Sequence, residues 1–216
     1  VQCITSQRQL RNRWHTNQKT SVKKAEIILG AISLIALVLN LLLVPGGGVL
    51  TVLSLSTLSV LYMYLSFALF NGIRLRHIFK KESYKGISTM RIVGAILTGL
   101  ALSMTTAGLL FKFQSWPGAI MNLAIGLLGL AIALIIGTIK YSKTKSNYYT
   151  RIFKRIAVYG GLGLILLILP KRTWLELKYR NQPDYVDAVK KAMADPDNQE
   201  LWDKVNEEHE KMNKEN

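Results

Sequence analysis

The sequence predicts an all-α, polytopic membrane protein: about five transmembrane helices, arranged as two tandem helical hairpins plus one, and a short helical soluble tail. Three observations predict it. Half of the 216 residues are apolar, and they run in long stretches. The chain carries 28 Lys and Arg against 13 Asp and Glu, a net charge of +15, yet these charges punctuate the apolar runs instead of mixing into them. Residues 1–170 hold 19 basic and two acidic residues, whereas 171–216 hold 9 basic and 11 acidic, so the tail is compositionally separate. In a soluble chain this basicity would suggest nucleic acid. Here the charges flank apolar runs, so the lipid bilayer is the expected partner and nucleic acid is not. A lone Cys3 excludes a disulfide framework, and the apolar content excludes a disordered chain.

A bilayer core about 30 Å thick requires about 20 apolar residues rising about 1.5 Å each. Segments 25–44, 49–70, 92–111 and 117–139 meet that length, and as helices they satisfy their own backbone hydrogen bonds. The fifth, 156–170, is short. Either it spans, lengthened by Ile152 and Phe153 with the stems of Lys154 and Arg155 snorkelling, or it lies as an interfacial or re-entrant helix. The chain then divides into a basic arm (1–24), a first hairpin (25–70), a basic loop (71–91), a second hairpin (92–139), a basic loop (140–155), the fifth helix and the tail (171–216).

Lys and Arg collect unevenly in the connections. The arm holds six, the turn 45–48 none, the loop after the second helix six, the turn 112–116 one, and the loop before the fifth helix six. Positive residues stay on the cytoplasmic side. The amino terminus and both longer loops are therefore expected in the cytoplasm, and the Pro-Gly turns and tail on the far side. The arm has no apolar core or cleavage site, so it reads as the flank of an uncleaved signal anchor formed by the first helix.

The two hairpins share one plan. Setting Pro45-Gly46 on Pro117-Gly118, an offset of 72 residues, places Leu37 on Leu109, Leu55 on Leu127 and Leu58 on Leu130. Either this is an internal duplication, in parallel rather than inverted copies, or all membrane hairpins look alike. Small residues recur at four-residue spacing: Ala95, Gly99, Ser103 and Ala107 in the third helix, and Gly129, Ala133 and Gly137 in the fourth. That spacing allows close helix approach, either between chains or, the more economical reading, within one. In the tail, 185–193 reads as an amphipathic helix. Asn198 is placed to cap another with Leu201, Trp202 and Val205 on one face. So small a piece holds little core alone and is expected to dock.

The apolar segments contain no Asp, Lys, Arg or His, and Glu26 sits at the edge of the first. Pumps, proton-coupled carriers and voltage sensors need ionisable groups within the bilayer. The residues nominate no enzyme, cofactor or metal site: His15, His77 and His209 all lie outside the spans, Glu208 and Glu210 flank His209 on diverging helix faces, and Gly160-Gly161-Leu162-Gly163 lacks a phosphate-loop context. Asn40 and Asn122 read as interhelical hydrogen-bonding groups or as polar contacts for a solute.

The densest local signal is Gly108-Leu-Leu-Phe-Lys-Phe-Gln-Ser-Trp-Pro-Gly-Ala119, where Lys112, Gln114, Trp116 and Pro117 close the third helix. Lys112 is expected to snorkel outward, Trp116 to lie at headgroup level and Pro117 to open the next helix, unless the cluster is a recognition site. Together with Ala124-Ile-Gly-Leu-Leu-Gly-Leu-Ala131, it resembles the amino-terminal transmembrane hairpin of the gliding-motility and type IX secretion motor protein family of Bacteroidota. The resemblance covers about 92–140 and implies helical hairpins in a bacterial inner membrane. That family's membrane glutamate falls at Leu130, and at Leu58 in the first hairpin, so its proton-driven role is not implied. The expected function is a non-catalytic, multi-pass inner-membrane scaffold or accessory subunit of a larger assembly, related to secretion or gliding in its most specific form. Its partners would be other membrane subunits or a second copy, through Gly99, Ser103, Gly129, Ala133, Gly137, the outer turn and Trp202. The alternatives are a channel or carrier for a small neutral or apolar solute, and a membrane enzyme or lipid-binding protein acting through Arg74, Arg76, Lys80 and Lys81.

Overall fold

The computed structural model describes residues 21–73, 77–78 and 80–215. The arm up to residue 20, and Arg74 and Arg76, lie outside the described residues, as does the Lys81 side chain. Among the described residues the fold is all-helical, with no strand. Helix α1 spans Ser21–Leu41 and α2 Gly47–Asn71; after a 3-10 turn at Lys81–Tyr84 follow α3 (Thr89–Phe113) and α4 (Ala119–Thr144). Then come α5 (Asn147–Arg155), a π-helical turn (Ile156–Gly160) and α6 (Gly161–Ile168), which run on without a break. The tail is α7 (Lys171–Lys178), α8 (Pro183–Ala194) and α9 (Gln199–Glu215).

Helices α2, α3 and α4 are each long and apolar enough to cross a membrane, and the segment from Asn147 bent onto α7 makes a fourth candidate when counted as one broken span. The two hairpin turns are built alike. Leu43 and Ser115 adopt left-handed conformations, at φ 55° and 58°. Val44 N–H donates to the Leu39 carbonyl at 3.0 Å, and Trp116 N–H donates to the Phe111 carbonyl at 2.8 Å. Leu43 to Asn40 and Ser115 to Lys112 add the second, 3.2 Å bond of a Schellman ending. Each turn then reaches Gly46 or Gly118, both at φ 82°, which only glycine adopts without strain and which starts the next helix. Position by position, these turns obey the 72-residue offset. Helix α4 accordingly begins after Gly118, not at Pro117.

Helix α3 is the central element. It packs on α2 along one side and α4 along another, while the π turn and α6 cover a third. Small residues permit this. A Cβ on Gly99 would lie 1.9 Å from Ser66 Oγ, and one on Gly126 would lie 2.6 Å from the Thr105 backbone nitrogen. Two buried clusters fill the bundle, one around Leu58, Tyr62, Leu102 and Leu130, the other around Leu37, Leu55, Leu109 and Leu123. Leu58 and Leu130, which the 72-residue offset pairs, thus share one core.

Two stretches differ from the sequence expectation. Residues 140–155, expected as a loop, are nearly all helix: α4 runs to Thr144 and only Lys145 and Ser146 separate it from α5. The fifth apolar segment is correspondingly longer, helical from Asn147 to Ile168, which is about 33 Å at 1.5 Å per residue. Tyr148 ties its start to α3 through the Arg91 carbonyl at 3.2 Å, and Lys112 ties its end to the opposite end of α3. The segment therefore runs the full height of the bundle before bending by 106° into α7.

Glycine-mediated approach gives a direct test. Gly99→Ala should lower the thermal midpoint in detergent, corresponding to about 1–3 kcal/mol, because the methyl group must push α2 off α3. Gly161→Ala, where an added Cβ meets nothing within 4 Å, should leave the midpoint unchanged or raise it. Equal effects would refute the packing geometry.

Candidate functional site at the outer turn and the tail

At the bundle end that carries the Pro-Gly turns, two lysines each fasten a different segment. Lys112 is buried and its Nζ donates to the Leu169 carbonyl, at the end of α6, at 3.1 Å. Lys178, also buried, donates from Nζ to the Phe113 carbonyl, at the end of α3, at 2.6 Å. The last carbonyls of a helix lack intrahelical donors and carry the negative end of its dipole. Each cation therefore closes the helix end presented by the other segment. This corrects the expectation that Lys112 snorkels outward. Gln114 completes the tie by donating Nε2 to the Gly48 carbonyl at 2.7 Å, joining the two outer turns.

The tail docks through the same place. Trp174 stands edge-on to Phe113, ring centroids 5.0 Å apart, and belongs to the core cluster that includes Leu109 and Leu123. Behind it, Leu175, Val186, Val189, Ala192 and Val205 form a small core of α7, α8 and α9. Asn198 caps α9 by accepting from the Glu200 N–H at 3.1 Å. Trp202, partly buried, packs on this core and donates Nε1 to the Pro196 carbonyl at 2.9 Å.

Between the outer turn and the docked tail lies a cavity of about 700 Å³. Its walls come from Trp116, Met121, Trp174, Tyr179, Tyr185 and Met193 among others, with Lys112 and Lys171 at its edge. Trp116 is exposed and stands edge-on to Phe111 at 5.4 Å. Pro117 is exposed and holds the turn. The Trp174 indole N–H is buried without a hydrogen-bond partner among the described residues. Burial, reinforced by Tyr185, pushes the Tyr179 hydroxyl up to about 12, and burial raises that of Tyr185, so both remain neutral donors at physiological pH. The cavity can thus accept an apolar body with one or two acceptor groups.

The remaining candidates lie at helix–helix contacts within the chain, and Gly129, Ala133 and Gly137 also line a cavity at the opposite end of α4. Gly99 faces Ser66, and Ser103 pairs with Ser59 through a 2.8 Å hydroxyl contact. Gly129 faces Ala101, Ala133 packs against the core, and Gly137 faces Phe153. Among the described residues no three His, Cys, Asp or Glu come together as metal ligands.

The opposite end holds a site that the sequence pattern did not single out. Glu26 is buried, and Arg155 grips it bidentately, Nε to Oε1 and Nη2 to Oε2. Tyr62 donates to Oε1 at 2.8 Å, and Tyr159, in the π turn, stands edge-on to Tyr62 at 5.4 Å. The Arg155 guanidinium also lies over Phe70, 5.2 Å from the ring centre, and donates Nη1 to the Arg151 carbonyl. One knot thereby joins α1, α2 and α5. The available signal was scarcity, since Glu26 is one of only two acids in residues 1–170. No family model, no curated protein and no solved structure matches the chain.

Two outcomes check these assignments. Removing one partner of the knot, by Glu26→Leu or Arg155→Leu, should cost about 3–5 kcal/mol of unfolding free energy, whereas the double replacement should cost less than either. Lys178→Met should speed limited proteolysis within 171–215 while leaving the bundle resistant. Unchanged cleavage would show that Lys178 does not hold the tail.

Proposed function

We propose that the protein is a non-catalytic, multi-pass scaffold or accessory subunit of a membrane assembly, and that the outer cavity receives an apolar segment of another membrane subunit. The observation carrying this reading is the cavity itself: aromatic and methionine walls, an unpartnered indole donor, and continuity with the exposed apolar face of α4 at Ile120 and Met121. A partner entering there would bury surface that a lone chain leaves open. The channel or carrier reading has less support, because most buried hydroxyls of α2 already have partners, Ser66 being the exception. Thr51 donates to the Ala36 carbonyl, Ser59 meets Ser103, and Tyr62 serves Glu26.

In this reading α1 and the segment 147–168 also cross, giving five spans. The basic end, with Lys140, Lys143, Lys145 and Arg155, faces the cytoplasm, and the tail lies on the outside of a bacterial inner membrane. What supports it is the charge distribution, the height of the fifth segment and, for the membrane's identity, the resemblance of the second hairpin. A place in secretion or gliding is the narrowest form of the proposal and rests on that resemblance alone.

Purification of a tagged copy from its own host in mild detergent tests the reading. Stoichiometric membrane companions are expected, and Trp116→Ala or Met193→Ser should each weaken their retention by about 2 kcal/mol or more, the mark of a binding hot spot. A monodisperse, partnerless chain would overturn it.

A further inference from the structure

A second cavity, of about 500 Å³, opens at the basic end between the first turns of α3, the last turns of α4 and the start of α5. Its chemistry changes along its length. Towards the bundle's middle the wall is formed by Gly94, Gly129 and Ala133, flanked by the exposed side chains of Ile132 and Ile136. At the charged end it is rimmed by Arg91 and Lys140. Arg91 lies 4.3 Å over the Tyr148 ring, and Tyr148 donates to the Arg91 carbonyl at 3.2 Å, so the guanidinium is held in place. Its Nε is buried without a hydrogen-bond partner, and no acidic residue stands among those described as lining the cavity.

Two cations with no counter-anion among the described residues that line the cavity, above an apolar trough, form the complement of an anionic amphiphile. We propose that this groove binds one anionic phospholipid, its phosphate between Arg91 and Lys140 and an acyl chain along Gly94, Gly129 and Ala133. From Lys140 to Gly129 the trough follows α4 for about 16 Å at 1.5 Å per residue, deep enough to take much of an acyl chain. Guanidinium is suited to phosphate because its fork of donors matches the oxygens. The inference stands apart from the subunit reading above, since it uses the other end of the bundle. It also differs from recruitment through Arg74, Arg76, Lys80 and Lys81, because Arg91 and Lys140 stand on helices and share a walled groove.

The test uses the whole chain in vesicles and in detergent. Phosphatidylglycerol should be retained in native mass spectra and raise the thermal midpoint more than phosphatidylcholine does. Arg91→Gln and Lys140→Gln should each weaken that preference about fivefold, the factor expected per interfacial cation. Lys143→Gln and Lys145→Gln, which remove exposed charges outside the groove, should leave it intact. Gly94→Leu, whose Cβ has nothing nearer than the Tyr148 hydroxyl at 4.0 Å, fills the trough without touching the charges and should displace lipid. Equal loss on removing Lys143 or Lys145 would reduce the effect to surface potential and overturn the site. Soluble glycerol phosphate binding as well as the lipid would overturn the acyl-chain assignment. If the Arg91 variant fails to fold, Lys140→Gln and Gly94→Leu decide the matter alone.

Discussion

The bundle depends on one constraint, the burial of Glu26 against Arg155. A carboxylate removed from water is tolerated only when its charge is matched and its lone pairs are used. Here both oxygens receive guanidinium donors and one also receives the Tyr62 hydroxyl. The partners are 129 residues apart in sequence, so neither charge can be satisfied until α1, α2 and α5 stand side by side. Apolar packing alone would allow these helices to slide or rotate, since lipid tails are no worse a neighbour than another leucine. The ion pair fixes both register and rotation. It also explains how the fifth helix can be long enough, because Arg155, which in isolation would end the apolar run, is neutralised where it lies.

At the other end the same problem is solved with backbone instead of carboxylate. Among the described residues Lys112 and Lys178 find no acid, and each is matched to a helix-terminal carbonyl that would otherwise be bare. Because α3 supplies Lys112 and receives Lys178, it is tied both to the end of the fifth segment and to the tail. The two hairpin turns agree in conformation and bonding, yet at the repeat positions Asn40 stands where Lys112 does. The hairpins therefore diverge at the residue that recruits the appendage. The second hairpin carries a cation where it has an additional helix end to close.

What the sequence made legible follows the physics it encodes locally. Apolar runs, Pro-Gly turns, the Asn198 cap and the small-residue faces are all properties of short windows, and the helices and turns fall close to where they were expected. Boundaries moved where a charge was read as a stop. Residues 140–155 were expected as a loop because six basic residues cluster there, but charge at a helix end is compatible with helix when the end faces water or a partner. The roles of Arg155, Lys112 and Lys178 were not legible for a related reason. A single chain gives no indication of which carbonyl or carboxylate, 57 to 129 residues away, completes a cation's shell. Gly108 and Gly126, where an added Cβ would meet the backbone of the facing helix, fell outside the four-residue stripes and were missed; Leu123 and Thr105 are the neighbours that require them.

Helix α4 connects both candidate sites. Only 22% of its apolar window is buried, against 56% for α3, although the two helices are almost equal in length. Its small residues face inward to α3 and α5, so the large side chains, Ile125, Leu128, Ile132 and Ile135, are left on the outside. Its first turns wall the aromatic cavity under the tail, and its last turns wall the groove rimmed by Arg91 and Lys140. A helix that contributes little to the chain's own core and borders a concave surface at each end is placed for contacts beyond the chain. The two ends differ in what they offer, an uncharged indole donor among aromatic and methionine walls at one, cations above a glycine-floored trough at the other. The same helix can therefore hold a lipid at its basic end without competing for the surface that a protein segment would use at the other.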